Sequence, residues 1–234
     1  MDQNMKIAII IPTYQRPDGK TPFYLDRALK SVENQTHKDY RIYVIGDKYE
    51  NKEELQSIVQ PYHVFWGNLS KAIEREKYPF GDYRLYCTGG ASAAQIGINL
   101  ALKAGYQYIC CLDHDDWWDV DHLEQINKII EAKKPFFICT LSTCLGRTLP
   151  DFAETHEIKE FLPVPCGMIN SSACIKYSDT KLRARDCCEK TGTAYPADAD
   201  LWRRLSAEMK AAWKQGYVYT GLTCHHEEEG YSLK

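Results

Sequence analysis

The chain has 234 residues, 44% of them apolar, which suits one domain able to close a real core. Its net charge is −3 and its 29 lysines and arginines are scattered, which excludes the basic face that nucleic-acid binding requires. The apolar run near the N-terminus is too short for a secretory leader or a membrane span, and ten cysteines with no C-x-x-C pair read as reduced, mostly buried thiols of a cytoplasmic protein.

Taken in order, Lys6 to Ile11 is a continuous apolar run closed by Pro12, the pattern of a parallel strand covered on both faces. A loop of turn formers follows. Thr21 and Pro22 then supply an N-cap and first-turn signal for a helix whose Leu25, Ala28, Leu29 and Val32 share one face. Arg41 to Ile45 is the next strand, completing a strand-helix-strand unit of the nucleotide-binding type. Asn51 and Glu54 have capping-box spacing, and His63 to Trp66 reads as a short strand. Residues 67 to 88 are polar, aromatic and without clear period. A helix is expected from Gly90-Ala91 to a stop at Gly105. Tyr108 to Leu112 is a buried strand, and Asp121-x-x-Glu124 opens another helix. Phe136 to Leu141 and Ser172 to Tyr177 are strands, with extended segments and loops over 142 to 168. A helix after Pro196 places Leu201, Leu205, Met209 and Trp213 on one buried face, and Tyr217 to Leu222 is the last strand. The fold class is α/β, a mostly parallel mixed sheet flanked by helices.

The stretch Asp113 to His122 holds five carboxylates and two imidazoles directly after an apolar strand. Open α/β sheets bind ligands at the carboxyl ends of their strands. Carboxylates so crowded repel one another, and a divalent cation among them relieves the repulsion; hard oxygen donors favour Mg2+ or Mn2+. No G-x-G-x-x-G follows the first strand and no G-x-x-x-x-G-K-[ST] occurs anywhere, so a diphosphate lacks its usual glycine cradle. A cation bridging acid and phosphate resolves that conflict.

Five segments, Ile10-Ile11-Pro12-Thr13-Tyr14-Gln15-Arg16, Leu29-x-Ser31-Val32-x-x-Gln35-Thr36, Val44-Ile45-Gly46-Asp47, Leu112-Asp113-His114-Asp115-Asp116-Trp117 and Asp198-x-Asp200-Leu201-Trp202-x-Arg204-Leu205, resemble in order the motifs of family-2 glycosyltransferases with the GT-A fold. The similarity runs from about residue 6 to residue 232. It implies a single GT-A domain with a Rossmann-like nucleotide-binding half at about 1–116 and an acceptor-binding half at about 117–234. The implied activity is metal-dependent, inverting transfer of a sugar from a nucleotide diphosphate donor to a hydroxyl of a glycan, lipid-linked or protein acceptor. A UDP-sugar is favoured and a GDP-sugar is possible.

Residue by residue, the resemblance implies that Pro12, Thr13, Tyr14, Arg16, Asp47, Gln95, Asp113 and His114 receive the donor. Tyr14 stacks on the base, Asp47 accepts a hydrogen bond from it, and Asp113 reaches the ribose. Asp115 holds Mn2+ or Mg2+, Asp116 shares or supports that role, and His225 or His226 returns from the C-terminal tail to the metal. Asp198 is the base, with Asp200 the competing candidate and helix capping the plain alternative for both. Trp117 and Trp118 suit stacking on an acceptor sugar, with further acceptor contacts expected in residues 142 to 197. Two positions depart from the family pattern. Gln95 lies where many members carry an arginine for the diphosphate, and Ala197 replaces the acid that precedes the base. A two-metal nucleotidyl or phosphoryl transferase and a non-catalytic nucleotide-sugar-binding module remain as rival readings of the same acids.

Overall fold

The alternation of side chains along the first strand sets the layering. In the computed structural model, which describes residues 7–79, 82–183, 185–191 and 195–227, β1 (Ile7–Thr13) is buried on both faces. Ile7, Ile9 and Ile11 pack on one side, against Leu25 and Leu29 of α1 (Thr21–Glu33) and the helices described below. Ala8 and Ile10 point the other way, into a second apolar cluster. Two helical layers therefore enclose one sheet, because a strand exposes successive side chains on opposite faces.

Along the chain, α1 leads to β2 (Tyr40–Gly46), α2 (Lys52–Val59) and β3 (Val64–Asn68). The aperiodic segment that follows forms two short helices, α3 (Ile73–Lys77) and α4 (Tyr83–Thr88). Then come α5 (Ala91–Lys103), β4 (Tyr108–Cys111), β5 (Trp117–Trp118) and α6 (His122–Lys133). The remaining elements are β6 (Phe137–Cys144), β7 (Arg147–Leu149), β8 (Ile158–Glu160), β9 (Ala173–Lys176), α7 (Cys187–Thr191), α8 (Ala197–Ala211) and β10 (Gly216–His225).

The main path of the sheet runs β3-β2-β1-β4-β9-β6-β10-β5. Strands β1 to β4 are parallel; β9 is antiparallel to both β4 and β6, and β6 is parallel to β10. Two antiparallel steps restore the original direction. The carboxyl ends of β1, β2, β4 and β10 therefore share one edge, which gathers Tyr14, Asp47, the Asp113–Asp116 segment and the tail His225-His226 although they are far apart in sequence.

Three local expectations need correction. Thr21 does not cap α1: the cap position is Lys20, and the buried Thr21 hydroxyl instead accepts from the Arg16 amide (2.8 Å) and donates to the Tyr14 carbonyl (2.9 Å), holding the loop after β1. Asp121 stands at the cap of α6 but makes no capping bond; Gln35 reaches across from the end of α1 to accept from the Leu123 amide (2.8 Å). Trp213 is not on the buried face of α8. That helix ends at Ala211, and Trp213 follows with a left-handed φ of 53° and 92% exposure. The capping box at Asn51 does form on its backbone side, with the Asn51 side chain accepting from the Glu54 amide (3.0 Å).

Helix α5 lies on the sheet through Gly97, where an added Cβ would sit 2.5 Å from Ile10 Cγ2 and 3.2 Å from Ile45 Cγ1. Both neighbours belong to central strands that cannot retreat. Gly97→Val should therefore destabilise the fold by about 3 kcal/mol, whereas Trp213→Ser should change stability by no more than about 0.5 kcal/mol; thermal melting of the two variants compares them directly.

Candidate active site

The loop after β1 presents Tyr14 toward His114, the two rings meeting edge to face at 5.3 Å. The Thr13 carbonyl accepts from the Asp47 amide (2.7 Å), locking the ends of β1 and β2 together. Arg75 of α3 covers this corner. Its guanidinium lies 5.4 Å over the Tyr14 ring, donates to Asp47 Oδ2 (3.2 Å) and to the Lys48 carbonyl (2.9 Å), and pairs with Glu50 (2.9 Å). Next to it Glu74 is buried and accepts from the Ser92 amide (3.1 Å) and hydroxyl (2.6 Å), so a carboxylate from α3 already occupies the start of α5. Neither residue was readable from the sequence, because the segment carrying them has no helical period; the acid-arginine pair Glu74-Arg75 is the only local signal.

Several buried polar atoms in this corner have no hydrogen-bond partner among the described residues. Among the described residues these include Thr13 Oγ1, Asp47 Oδ1, Glu74 Oε2 and His114 Nε2. Leaving such atoms unsatisfied costs about 1–3 kcal/mol each, so their concentration at one strand edge marks a place built for a polar ligand. Burial lowers the pKa of His114, against the opposing pull of Asp115. Gln95 lies on the first turns of α5 and donates to Asn99 (2.9 Å).

The acids after β4 are compensated by cations from three other parts of the chain. Arg16 pairs with Asp115 Oδ2 (3.2 Å). Arg27 of α1 donates to the Asp115 carbonyl and pairs with Glu227 (2.7 Å). His226 Nδ1 meets Asp116 Oδ1 at 2.8 Å, the Glu227 amide donates to the same oxygen (3.1 Å), and the Ser171 hydroxyl donates to Asp116 Oδ2. Burial opposes the charge on His226, but the hydrogen bond and charge of Asp116 outweigh it and raise its pKa to about 9. Burial, reinforced by Asp116 and Asp115, pushes Asp113 up to about 8. Among the described residues no three His, Cys, Asp or Glu side chains converge in a ready metal-ligand arrangement.

His225 points elsewhere. Its ring stacks on Trp117 at 5.2 Å and its Nε2 lies 3.1 Å from Asp119, so the tail brings His226 and not His225 to the acids. Trp117 has Arg27 over its ring at 4.0 Å as well as His225 stacked on it, and Trp118 is buried against His122 (4.3 Å) with its Nε1 donating to the Ser171 carbonyl (2.7 Å). Trp118 is thus buried within the protein, whereas Trp117, stacked with His225 and lying under Arg27, stays partly exposed.

The two acids at the start of α8 have separate surroundings. Asp200 is buried and accepts from Arg185 (3.0 Å), Arg203 (2.8 Å) and Arg204 (2.7 Å). Burial alone would raise its pKa, but the three guanidinium groups overcome that and hold it at about 2. Among the described residues Asp198, two residues earlier, accepts a local bond from the Ala199 amide (2.7 Å) and pairs with no arginine. Burial raises its pKa, and it lies within electrostatic reach of His226 and Asp113.

Comparison with known proteins places this geometry. The family model described as Glycosyl transferase family 2 matches residues 8–163. An uncharacterized glycosyltransferase of Acanthamoeba polyphaga mimivirus is 29% identical over 97% of this chain and 95% of its own length. The succinoglycan biosynthesis protein ExoW of Rhizobium meliloti is 32% identical over 50% of this chain and 32% of its own. Among solved structures, S. aureus TarS 1-349 in complex with UDP-GlcNAc has a TM-score of 0.66 at 12% identity, covering 98% of this chain. The mannosyltransferase PcManGT from Pyrobaculum calidifontis, in complex with GDP-Man and Mn2+, has a TM-score of 0.57 at 15% identity, covering 97% of this chain. The chain spans 60% and 58% of those two structures, and the likeness to them establishes the shared GT-A fold.

Because the Asp200 carboxyl is depressed in the folded state, its contribution to stability is fully present above the ordinary aspartate pKa of about 3.9 and disappears as pH falls through about 2. Asp200→Ala leaves the arginines without their buried partner and should cost about 3–5 kcal/mol. Chemical denaturation at pH 7 and at pH 2.5 checks both statements, since the gap between wild type and variant should narrow at the lower pH.

Proposed function

The chain belongs to glycosyl transferase family 2, and from that premise we propose that it transfers a sugar, with inversion at the anomeric carbon, from a nucleoside diphosphate donor to an acceptor hydroxyl. The observation that carries the donor assignment is the set of unsatisfied buried polar atoms around Tyr14. Asp47 Oδ1 is an acceptor suited to the N3–H of uracil, and the Tyr14 ring supplies a stacking face. His114 Nε2 accepts from a ribose hydroxyl, beside Asp113. A UDP-sugar is the favoured donor, and a GDP-sugar is the alternative, as in the complex of the Pyrobaculum calidifontis mannosyltransferase with GDP-Man.

Asp198 is the base of this reading. Its carboxylate takes the proton of the acceptor hydroxyl as the oxygen attacks the anomeric carbon, and the bond to the diphosphate breaks on the opposite side. Asp200 cannot share that role readily, because its oxygens are engaged by arginines. It instead anchors the first turn of α8 on which Asp198 stands. Asp115, Asp116 and His226 are the residues that would hold Mn2+ or Mg2+; hard oxygens with one imidazole suit either ion chemically, but they are engaged with Arg16 and with each other and would have to turn to converge on it. The ion would supply positive charge to the departing diphosphate. The compensation of the acids by Arg16, Arg27 and His226 favours a second reading, in which these cations neutralise the diphosphate without a metal. No helix among the described residues is long and apolar enough to cross a membrane.

Asp198→Asn should lower the transfer rate by at least about 100-fold while leaving the thermal shift produced by a UDP-sugar intact. In the wild type, the rate should rise as Asp198 ionises, with the midpoint above the ordinary carboxylate range because burial raises its pKa; the variant should lack that limb in a pH-rate profile. Asp115→Ala should abolish turnover that depends on Mn2+. Wild-type turnover that persists unchanged in EDTA would instead select the metal-free reading, so an assay of donor hydrolysis with and without chelator decides between them.

A further inference from the structure

Two guanidinium groups meet the acids after β4, and the fold uses them differently. Arg16 is spent on its neighbours: its Nε and Nη2 lie on Asp18 (3.2 and 2.9 Å) and its Nη1 on Asp115 (3.2 Å). Arg27 donates through Nη2 to a neutral group, the Asp115 carbonyl, and its Nε is buried without a hydrogen-bond partner among the described residues. The carboxylate on its Nη1 is Glu227, at 2.7 Å. The charge of Arg27 is thus met by the segment that leaves β10.

A carboxylate is a costly group to seat there. The Glu227 side chain is 12% exposed and its amide donates to Asp116 Oδ1 (3.1 Å), so it adds a further acid to a corner that already holds Asp115 and Asp116. Arg27 offsets that addition and is held in place to do so. Its guanidinium lies 4.0 Å over the Trp117 ring and 5.1 Å over the Tyr24 ring, and His225 backs the Trp117 indole at 5.2 Å. The backbone of the segment is tied separately, through the His226 amide on the Thr143 carbonyl (3.1 Å). The link between Glu227 and Arg27 is therefore a side-chain contact, and breaking it requires no change in that backbone.

An anion is thus already accepted beside Asp115 and Asp116, at the strand edge where a nucleoside diphosphate has to be received. No glycine cradle follows β1 and the chain has no P-loop lysine, so the diphosphate needs its positive charge from elsewhere. A guanidinium suits phosphate and carboxylate alike, through N–H donors set in one plane, and a diphosphate carries more charge than one carboxylate. We propose that Arg27 is the residue that receives the diphosphate of the donor, and that Glu227 is an internal anion seated on it until the diphosphate displaces it. This rests on the reading of the chain as a nucleoside-diphosphate-sugar transferase, and it holds with or without a metal ion sharing the diphosphate. Arg27 is a binding residue, and Glu227 sets how tightly the donor is held.

Isothermal titration of the full chain with UDP and with GDP, in the presence of Mg2+, tests the competition by binding alone. Glu227→Gln removes the internal anion and should tighten the nucleotide that wild type binds by about fivefold, the factor for a protein in which roughly four fifths of Arg27 is occupied. Arg27→Gln should weaken it by at least about tenfold. In the Arg27→Gln/Glu227→Gln double variant the affinity should equal that of Arg27→Gln alone, because nothing remains to compete for. A general loss of negative charge would instead carry its gain into the double variant. Arg27→Lys, which keeps the charge and loses the planar fork, should fall between wild type and Arg27→Gln, and thermal melting without nucleotide shows whether each variant is folded. Nucleotide binding by Glu227→Gln that is no tighter than wild type overturns the proposal. So does a gain of the same size in the Arg27→Gln background, or wild-type affinity in Arg27→Gln. Failure of the donor reading shows differently, as no binding of UDP or GDP by any of these proteins, and overturns the proposal with it.

Discussion

Three carboxylates emerging within four residues at the end of a buried strand impose the constraint on which the site depends. Asp113, Asp115 and Asp116 cannot all be ionised in a poorly solvated corner unless positive charge or hydrogen-bond donors surround them. The fold meets this by drawing in groups from distant segments: Arg16 from the loop after β1, Arg27 from α1, Ser171 from the turn before β9, and His226 from the tail after β10. Each arrives by an element whose own position is set by apolar packing. The electrostatic balance of the site is therefore inseparable from the completed sheet, and in particular from the antiparallel β9 that returns β6 and β10 to the common direction.

The same division between structural and reactive charge appears at the start of α8. Asp198 and Asp200 are two residues apart, a spacing that places them on different sides of a helix. One side meets Arg185, Arg203 and Arg204, and the carboxylate there becomes an anchor with a strongly depressed pKa. The other lies within electrostatic reach of His226 and Asp113, where burial raises the pKa and, among the described residues, no guanidinium pairs with the carboxylate. Two identical side chains are thus made chemically different by which face of one helical turn they occupy.

The corner around Tyr14 and the start of α8 are joined by the segment between β3 and α5. Its first short helix lays Arg75 across Tyr14 and Asp47 and plugs the start of α5 with Glu74; its second packs Cys87 against α7 and against Ala197 at the start of α8. Helices of five and six residues bury too few positions to show a period, and their stability comes from tertiary contacts such as Cys87 against α7. For that reason the segment is opaque in sequence although it touches both halves of the site.

Local chemistry by itself determined a good deal. Continuous apolar runs predicted the central strands, helical spacing predicted α1, α5, α6 and most of α8, and the acids after Leu112 marked the strand edge, because periodicity and charge crowding are properties of neighbouring residues. Ordered motifs added the family. Only the tertiary structure decided what depends on residues meeting across the chain. It spent Thr21 and Gln35 on loop and helix ties, buried Trp118 against His122, left Trp213 in solvent beyond the last turn of α8, and chose His226 over His225 to face Asp116. A side chain's type states which contacts it is able to make, but the contacts it does make are selected by which other segments the completed sheet brings alongside it.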